Sequence, residues 1–220
     1  MKSLSSDRVE GELVTNIFYS IATSFIILGL VYWFIGKNVQ NFNSRFGIFL
    51  FLSALSYAFI VMIVRHVRAY KDFACMSGMM IGMTSGMMGF LPGFYVASTN
   101  GMFYGGFFGV IVGMFFGVWN GKCCGIMGVL EGIMAAFMGG LMGAMTAFML
   151  LNDHLLAASV LVFVISATIL TGLSYMIYHE TKETERQRKE GHWLTIILTI
   201  ILMVVTTYLM LYGPRGGIFA

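Results

Sequence analysis

The chain has 220 residues, 58% of them hydrophobic and only 10% charged, with a mean hydropathy of +0.84. That balance excludes a soluble globular domain and points to an integral membrane protein. The net charge of +3 is no argument for nucleic acid, and it is read most simply as a report of topology and of attraction to anionic lipid headgroups.

A bilayer core takes roughly 20 helical residues, and seven apolar stretches are long enough to cross it: Val14 to Ile35, Phe46 to Val64, Phe73 to Ser98, Met102 to Trp119, Gly125 to Leu151, Leu155 to Tyr178 and Trp193 to Leu211. The expected fold is all-α, with seven transmembrane helices in one polytopic domain over residues 1–220. The first stretch is too long for a signal-peptide core and runs into Gly36, Lys37 and Asn38 without a small-x-small cleavage pattern. It is therefore expected to stay as the first helix.

The first two and last two stretches use ordinary Ile, Leu, Val and Phe, whereas residues 75–149 hold most of the Gly and Met. The third stretch carries a small-residue ladder at Gly78, Gly82 and Gly86, and a methionine stripe at Met76, Met80, Met83 and Met87. Pro92 and Gly93 predict a kink or break near its outer end, because proline removes a backbone donor and clashes with the preceding turn.

In the fourth stretch glycine recurs every fourth residue at Gly101, Gly105, Gly109, Gly113, Gly117 and Gly121. Such a ladder lets transmembrane backbones approach closely and gain van der Waals contact where no hydrophobic effect drives association. The fifth repeats it at Gly128, Gly132, Ala136, Gly140 and Ala144. Short connections around Asn100 and at Asn120 to Cys124 then predict an antiparallel three-helix unit, a Gly-zipper core of the third, fourth and fifth spans.

At about 100° per residue, Met127, Glu131, Met134, Met138, Met142, Met145 and Met149 project within an arc of roughly 80°, with Gly128, Gly132, Ala136, Gly139, Gly140 and Gly143 centred opposite. One face of the fifth span is built for backbone contact and the other for thioethers. Glu131 is the only Asp, Glu, Lys, Arg or His well inside a span, and intramembrane charge counts by default as a functional hypothesis. Its expected role is to offset a cation's charge or to relay a proton; a neutral carboxyl hydrogen-bonded to a neighbouring helix is the alternative.

Between the sixth and seventh spans, the connection from His179 to His192 pairs Glu185 with Lys189 four residues on, a spacing that supports a solvated helical extension.

Loop charges set the orientation. Lys2, Arg8, Arg65, Arg68, Lys71, Lys122, Lys182, Arg186, Arg188 and Lys189 fall on one side, against Lys37, Arg45 and Arg215 on the other. Basic residues favour the cytoplasmic side, so the N-terminus is expected inside and the C-terminus outside, in the plasma membrane of a prokaryote. Cys75, Cys123 and Cys124 then fall at cytoplasmic span ends, where thiols stay reduced, and no structural disulfide is expected.

Thioether and thiolate sulfur are soft donors suited to Cu(I), and a ladder of weak sites suits conduction. The expected path has Asp153 and His154 beside Met149 at the outer mouth, the methionines of the third and fifth spans through the membrane, and Cys75, Cys123 and Cys124 as receivers. A soluble copper carrier is a candidate partner. The competing reading is non-catalytic: methionine is an adaptable gap-filler, and the chain is a Gly-zipper scaffold or an accessory subunit of a larger membrane complex or homo-oligomer. A proton- or substrate-coupled secondary transporter ranks below both, for want of a convincing inverted repeat. No enzymatic activity is expected, since no catalytic triad, Walker loop or H-E-x-x-H motif is present.

The M-x-x-x-M spacing at Met134/Met138, Met138/Met142 and Met145/Met149, combined with G-x-x-x-G, resembles the chemistry of the trimeric Ctr-type copper transporters. The likeness covers residues 76–149 and lies in ingredients, since those proteins have three spans per chain. The vicinal Cys123–Cys124 pair is similar to a feature of mercuric-ion importers, without a matching layout.

Overall fold

A computed structural model describes residues 9–33, 46–70, 75, 79–180 and 192–214. Among them the chain is helical with turns and no strand: α1 (Val9–Val31), α2 (Ile48–Ala69), α3 (Met79–Asn100), α4 (Met102–Gly121), α5 (Gly125–Met149), α6 (Leu155–Glu180) and α7 (His192–Tyr212). Three stretches, Met79–Asn100, Met102–Met149 and Leu155–Ile177, are long and apolar enough to cross a membrane; Phe18–Val31, Ile48–Val64 and Ile196–Tyr212 are shorter apolar runs. The middle stretch folds back on itself at the short 3-10 turn Lys122–Cys124, which separates α4 from α5.

Each pairing among α3, α4 and α5 is more extensive than any other helix pairing among the described residues. Glycine is the reason. A Cβ at Gly109 would sit 2.5 Å from the carbonyl oxygen of Gly89, one at Gly117 2.6 Å from that of Gly132, and one at Gly140 2.5 Å from the amide nitrogen of Val110. The helices therefore meet backbone to backbone, with no side chain between them. Tight turns make the antiparallel order possible: α3 passes into α4 through Gly101 alone, at φ 108°, and α5 begins at Gly125, at φ 76°, conformations that only glycine adopts at no steric cost.

Because α4 runs back between them, α3 and α5 are parallel. Gly82 faces Glu131 and Gly86 faces Ala135, the same sequence offset that separates Cys75 from Cys124.

The rest of the bundle is organised by α2, which touches α1, α3, α6 and α7. Here aliphatic side chains interlock, and hydroxyls tie the helices across the core. The Ser56 hydroxyl lies 2.8 Å from that of Tyr95, and Thr206 Oγ1 donates to the Tyr57 hydroxyl at 3.0 Å. At the far end of α3, Asn100 Nδ2 donates to the carbonyl oxygen of Leu209 at 2.7 Å, which fixes α3 and α7 as parallel neighbours.

The sequence predicts a kink or break at Pro92; α3 is not broken there and runs as one helix through it. Proline costs a backbone hydrogen bond, and the wholly buried Pro92 and Gly93 are held where Gly93 abuts the carbonyl of Gly140. The first helix starts at Val9 and ends at Val31, so its start precedes the expected Val14; residues 34–45 lie outside the described residues. So do Met76, Gly78 and the connection at 181–191.

Backbone contact makes a sharp stability prediction. Gly109→Ala and Gly132→Ala should each destabilise the solubilised protein by about 1–3 kcal/mol, the usual cost of overpacking. Gly172→Ala, whose Cβ meets nothing within 4 Å, should be neutral or slightly stabilising. Thermal unfolding in detergent reads all three.

Candidate functional site

The fifth helix carries its methionines on the face turned away from the glycines. Met127, Met134, Met138, Met142, Met145 and Met149 are between 45% and 81% exposed, whereas Gly128, Gly132, Ala136, Gly140 and Ala144 are buried. Among the described residues α5 packs, apart from grazing contact, on α3, α4 and the turn before it, and none of them covers this face. The thioethers form a track along the outside of the three-helix unit.

On α3 the methionines divide. Met80 and Met88 are fully buried in the core shared with α2, while Met83 is 41% exposed and Met87 partly buried. Of the sequence-predicted positions, Met80, Met83 and Met87 therefore do not share one environment, Met76 lies outside the described residues, and among the described residues α3 and α5 leave no gap between them at their glycines. Backbone contact at Gly86, Gly89 and Gly93 fills that seam.

At one end of the track the thioethers converge. Met102, at the start of α4, joins Met145 and Met149, near the end of α5, around an open cavity of about 440 Å³ that also has Phe148, Leu151 and Asn152 in its wall. Three soft donors from two helices are a set that a soft monovalent cation can use. Met102 escaped the sequence reading because it belongs to no M-x-x-x-M run; the antiparallel pairing of α4 with α5 was the available signal.

Asp153 and His154 lie next to this cavity in sequence but do not line it. They pair with each other, His154 Nδ1 to Asp153 Oδ1 at 2.8 Å, with side chains 77% and 88% exposed. Among the described residues no three of His, Cys, Asp and Glu gather as a ligand set.

Glu131 sits part-buried at the α3–α5 seam. Its Oε1 is 3.0 Å from where a Cβ on Gly82 would lie, so the missing side chain at Gly82 is what admits the carboxyl group. No hydrogen bond or ion pair reaches Glu131 from the described residues. The nearest methionines along its helix, Met127 and Met134, point outward.

No protein family, characterised protein or solved structure matches this chain. The residues and their geometry carry the functional reading alone.

The cysteines require a correction. Cys75 and Cys124 form a disulfide with a Cα separation of 5.1 Å, leaving Cys123 as the free thiol among the described cysteines. The parallel register of α3 and α5 brings their starting ends side by side, within bridging distance. The expectation of reduced thiols rested on compartment and missed that adjacency. Oxidised in this way, Cys75 and Cys124 offer no thiolate to a metal; they do so only after reduction. Peptide mapping without reductant should recover residues 75 and 124 in one cross-linked species and alkylated Cys123 in a linear stretch joined to it. Free thiol at all three positions would contradict the pairing.

Proposed function

We propose that this protein binds a soft metal ion, Cu(I), at the cavity formed by Met102, Met145 and Met149. The observation that carries the reading is the convergence of three thioethers from α4 and α5 on one cavity. Thioethers favour Cu(I) over hard cations and leave it labile. The outward track of Met142, Met138, Met134 and Met127 supplies further weak sites leading away from the cavity, with Glu131 beside it as a compensating carboxylate. Among the described residues the backbones of α3, α4 and α5 meet too closely for an ion to pass between them. Translocation therefore needs the track to be closed by a second surface, and a homo-oligomer supplies one.

The architecture proposed with it is a seven-span bundle with a Gly-zipper core of α3, α4 and α5 in a prokaryotic plasma membrane. The basic loops support a cytoplasmic N-terminus, which sets the methionine cavity outside. The disulfide at the opposite end is the one feature favouring the inverse orientation, since such bonds persist in oxidising compartments.

A second reading is supported by the uncovered face of α5: an accessory or scaffold subunit in which the methionines pack against another membrane protein or another copy. Flexible thioether side chains suit an adaptable seam of that kind.

Copper content separates the two. Anaerobic Cu(I) titration of the detergent-purified protein against a chromogenic chelator should give stoichiometric copper, lost in Met102→Leu/Met145→Leu/Met149→Leu. Leucine keeps volume and apolarity, so the thermal midpoint of the triple variant should stay near the parent's. Equal copper in both proteins would refute this cavity as the site, and none in the parent would refute metal binding and leave the scaffold reading.

A further inference from the structure

A second feature of the surface is independent of the methionine track. α4 and α7 hardly touch, and between them runs an open groove of about 600 Å³ lined only by aliphatic and aromatic side chains. Phe116, Leu198 and Leu202 are buried and form its floor. Phe108 and Val205 line it towards one end and Trp119 and Ile197 towards the other, as the antiparallel order of the two helices requires. From residue 108 to residue 119 a helix advances about 16 Å, close to half of a hydrocarbon core roughly 30 Å thick. The groove is one leaflet deep.

Its Trp119 end is polar and cationic. The Arg68 guanidinium, carried by the last turn of α2, lies 4.3 Å from the Trp119 ring centroid, a cation–π arrangement. Lys122 is exposed one residue beyond α4. Between them in sequence, Asn120 is 2% exposed, and neither atom of its side-chain amide has a hydrogen-bond partner. A buried amide in that condition costs free energy unless some further group meets it. No acidic side chain is paired with Lys122 among the described residues.

We propose that this groove binds one anionic phospholipid, with an acyl chain along α4 and α7 and its phosphate at the Arg68, Asn120 and Lys122 end. The parts fit one amphiphile: an apolar slot of leaflet depth, an aromatic ring at its mouth, the exposed Lys122 ammonium for a phosphate, and an amide N–H donor beside it. Trp at the boundary between acyl chain and headgroup suits its amphipathic ring. A zwitterionic lipid fills the slot equally well but gains less from the cations, so headgroup charge is the discriminating property.

Trp119 itself reports occupancy. In a Trp33→Phe/Trp193→Phe background it is the only tryptophan of the chain, and bromine on an acyl chain quenches indole fluorescence on contact. Brominated phosphatidylglycerol should half-quench Trp119 at a mole fraction at least about fivefold below that of brominated phosphatidylcholine, the advantage expected from one cation near a headgroup. Lys122→Gln, an exposed position that leaves the fold intact, should reduce that preference without moving the phosphatidylcholine curve, and Arg68→Gln should reduce it further where the variant folds. Val205→Phe, which narrows the slot, should weaken quenching by both lipids. Equal quenching of the parent by the two lipids would overturn the proposal, as would a preference that Lys122→Gln leaves unchanged.

Discussion

Contact between the backbones of α3, α4 and α5 is the constraint on which the rest of the structure depends. In a bilayer, helices gain little from leaving lipid for protein, so association rests on van der Waals contact and on hydrogen bonds between them. Glycine at Gly89, Gly109, Gly117, Gly132 and Gly140 lets those contacts be made by main-chain atoms. Once the three helices are held so closely, large side chains have nowhere to go but outward. The methionine track on α5 is the complement of its glycine face, and the parallel register of α3 and α5 that brings Cys75 to Cys124 follows from the same packing.

Two kinds of cohesion therefore divide the chain. The α3–α5 unit is closed by surfaces without side chains, while α2 gathers α1, α6 and α7 through interlocked aliphatic residues and the hydroxyl pair of Tyr57 with Thr206, and reaches α3 through that of Ser56 with Tyr95. Where the two parts meet, at α4 and α7, neither kind operates fully and a groove is left. Both surfaces with chemical potential, the thioether cavity and the lipid-sized slot, lie where the glycine unit stops making contact.

Much of this was legible in the sequence. The four-residue period of glycine in α4 and α5 predicted the three-helix unit, and the opposition of Gly and Met on α5 predicted that thioethers and backbone contacts lie on different faces. Periodicity assigns faces but not neighbours. It could not say that the Met face of α5 is left uncovered, that Met80 and Met88 turn into the core beside α2, or that Met102 meets Met145 and Met149 across a turn. The bridge between Cys75 and Cys124 was missed for a related reason: it depends on which helices run parallel, whereas the compartment argument considered each cysteine alone.

The central claim is that the thioethers of α5 face outward from the closely packed α3–α5 unit, and carbene labelling tests it most directly. A lipid-soluble diazirine photolysed in nanodiscs holding the protein reacts with side chains open to the acyl chains. Mass spectrometry should then place label on Met127, Met134, Met138 and Met142 and none on Met80 or Met88. Unlabelled methionines along α5, with the α3 core labelled instead, would mean that the stripe faces inward and that the packing described for α3, α4 and α5 is wrong.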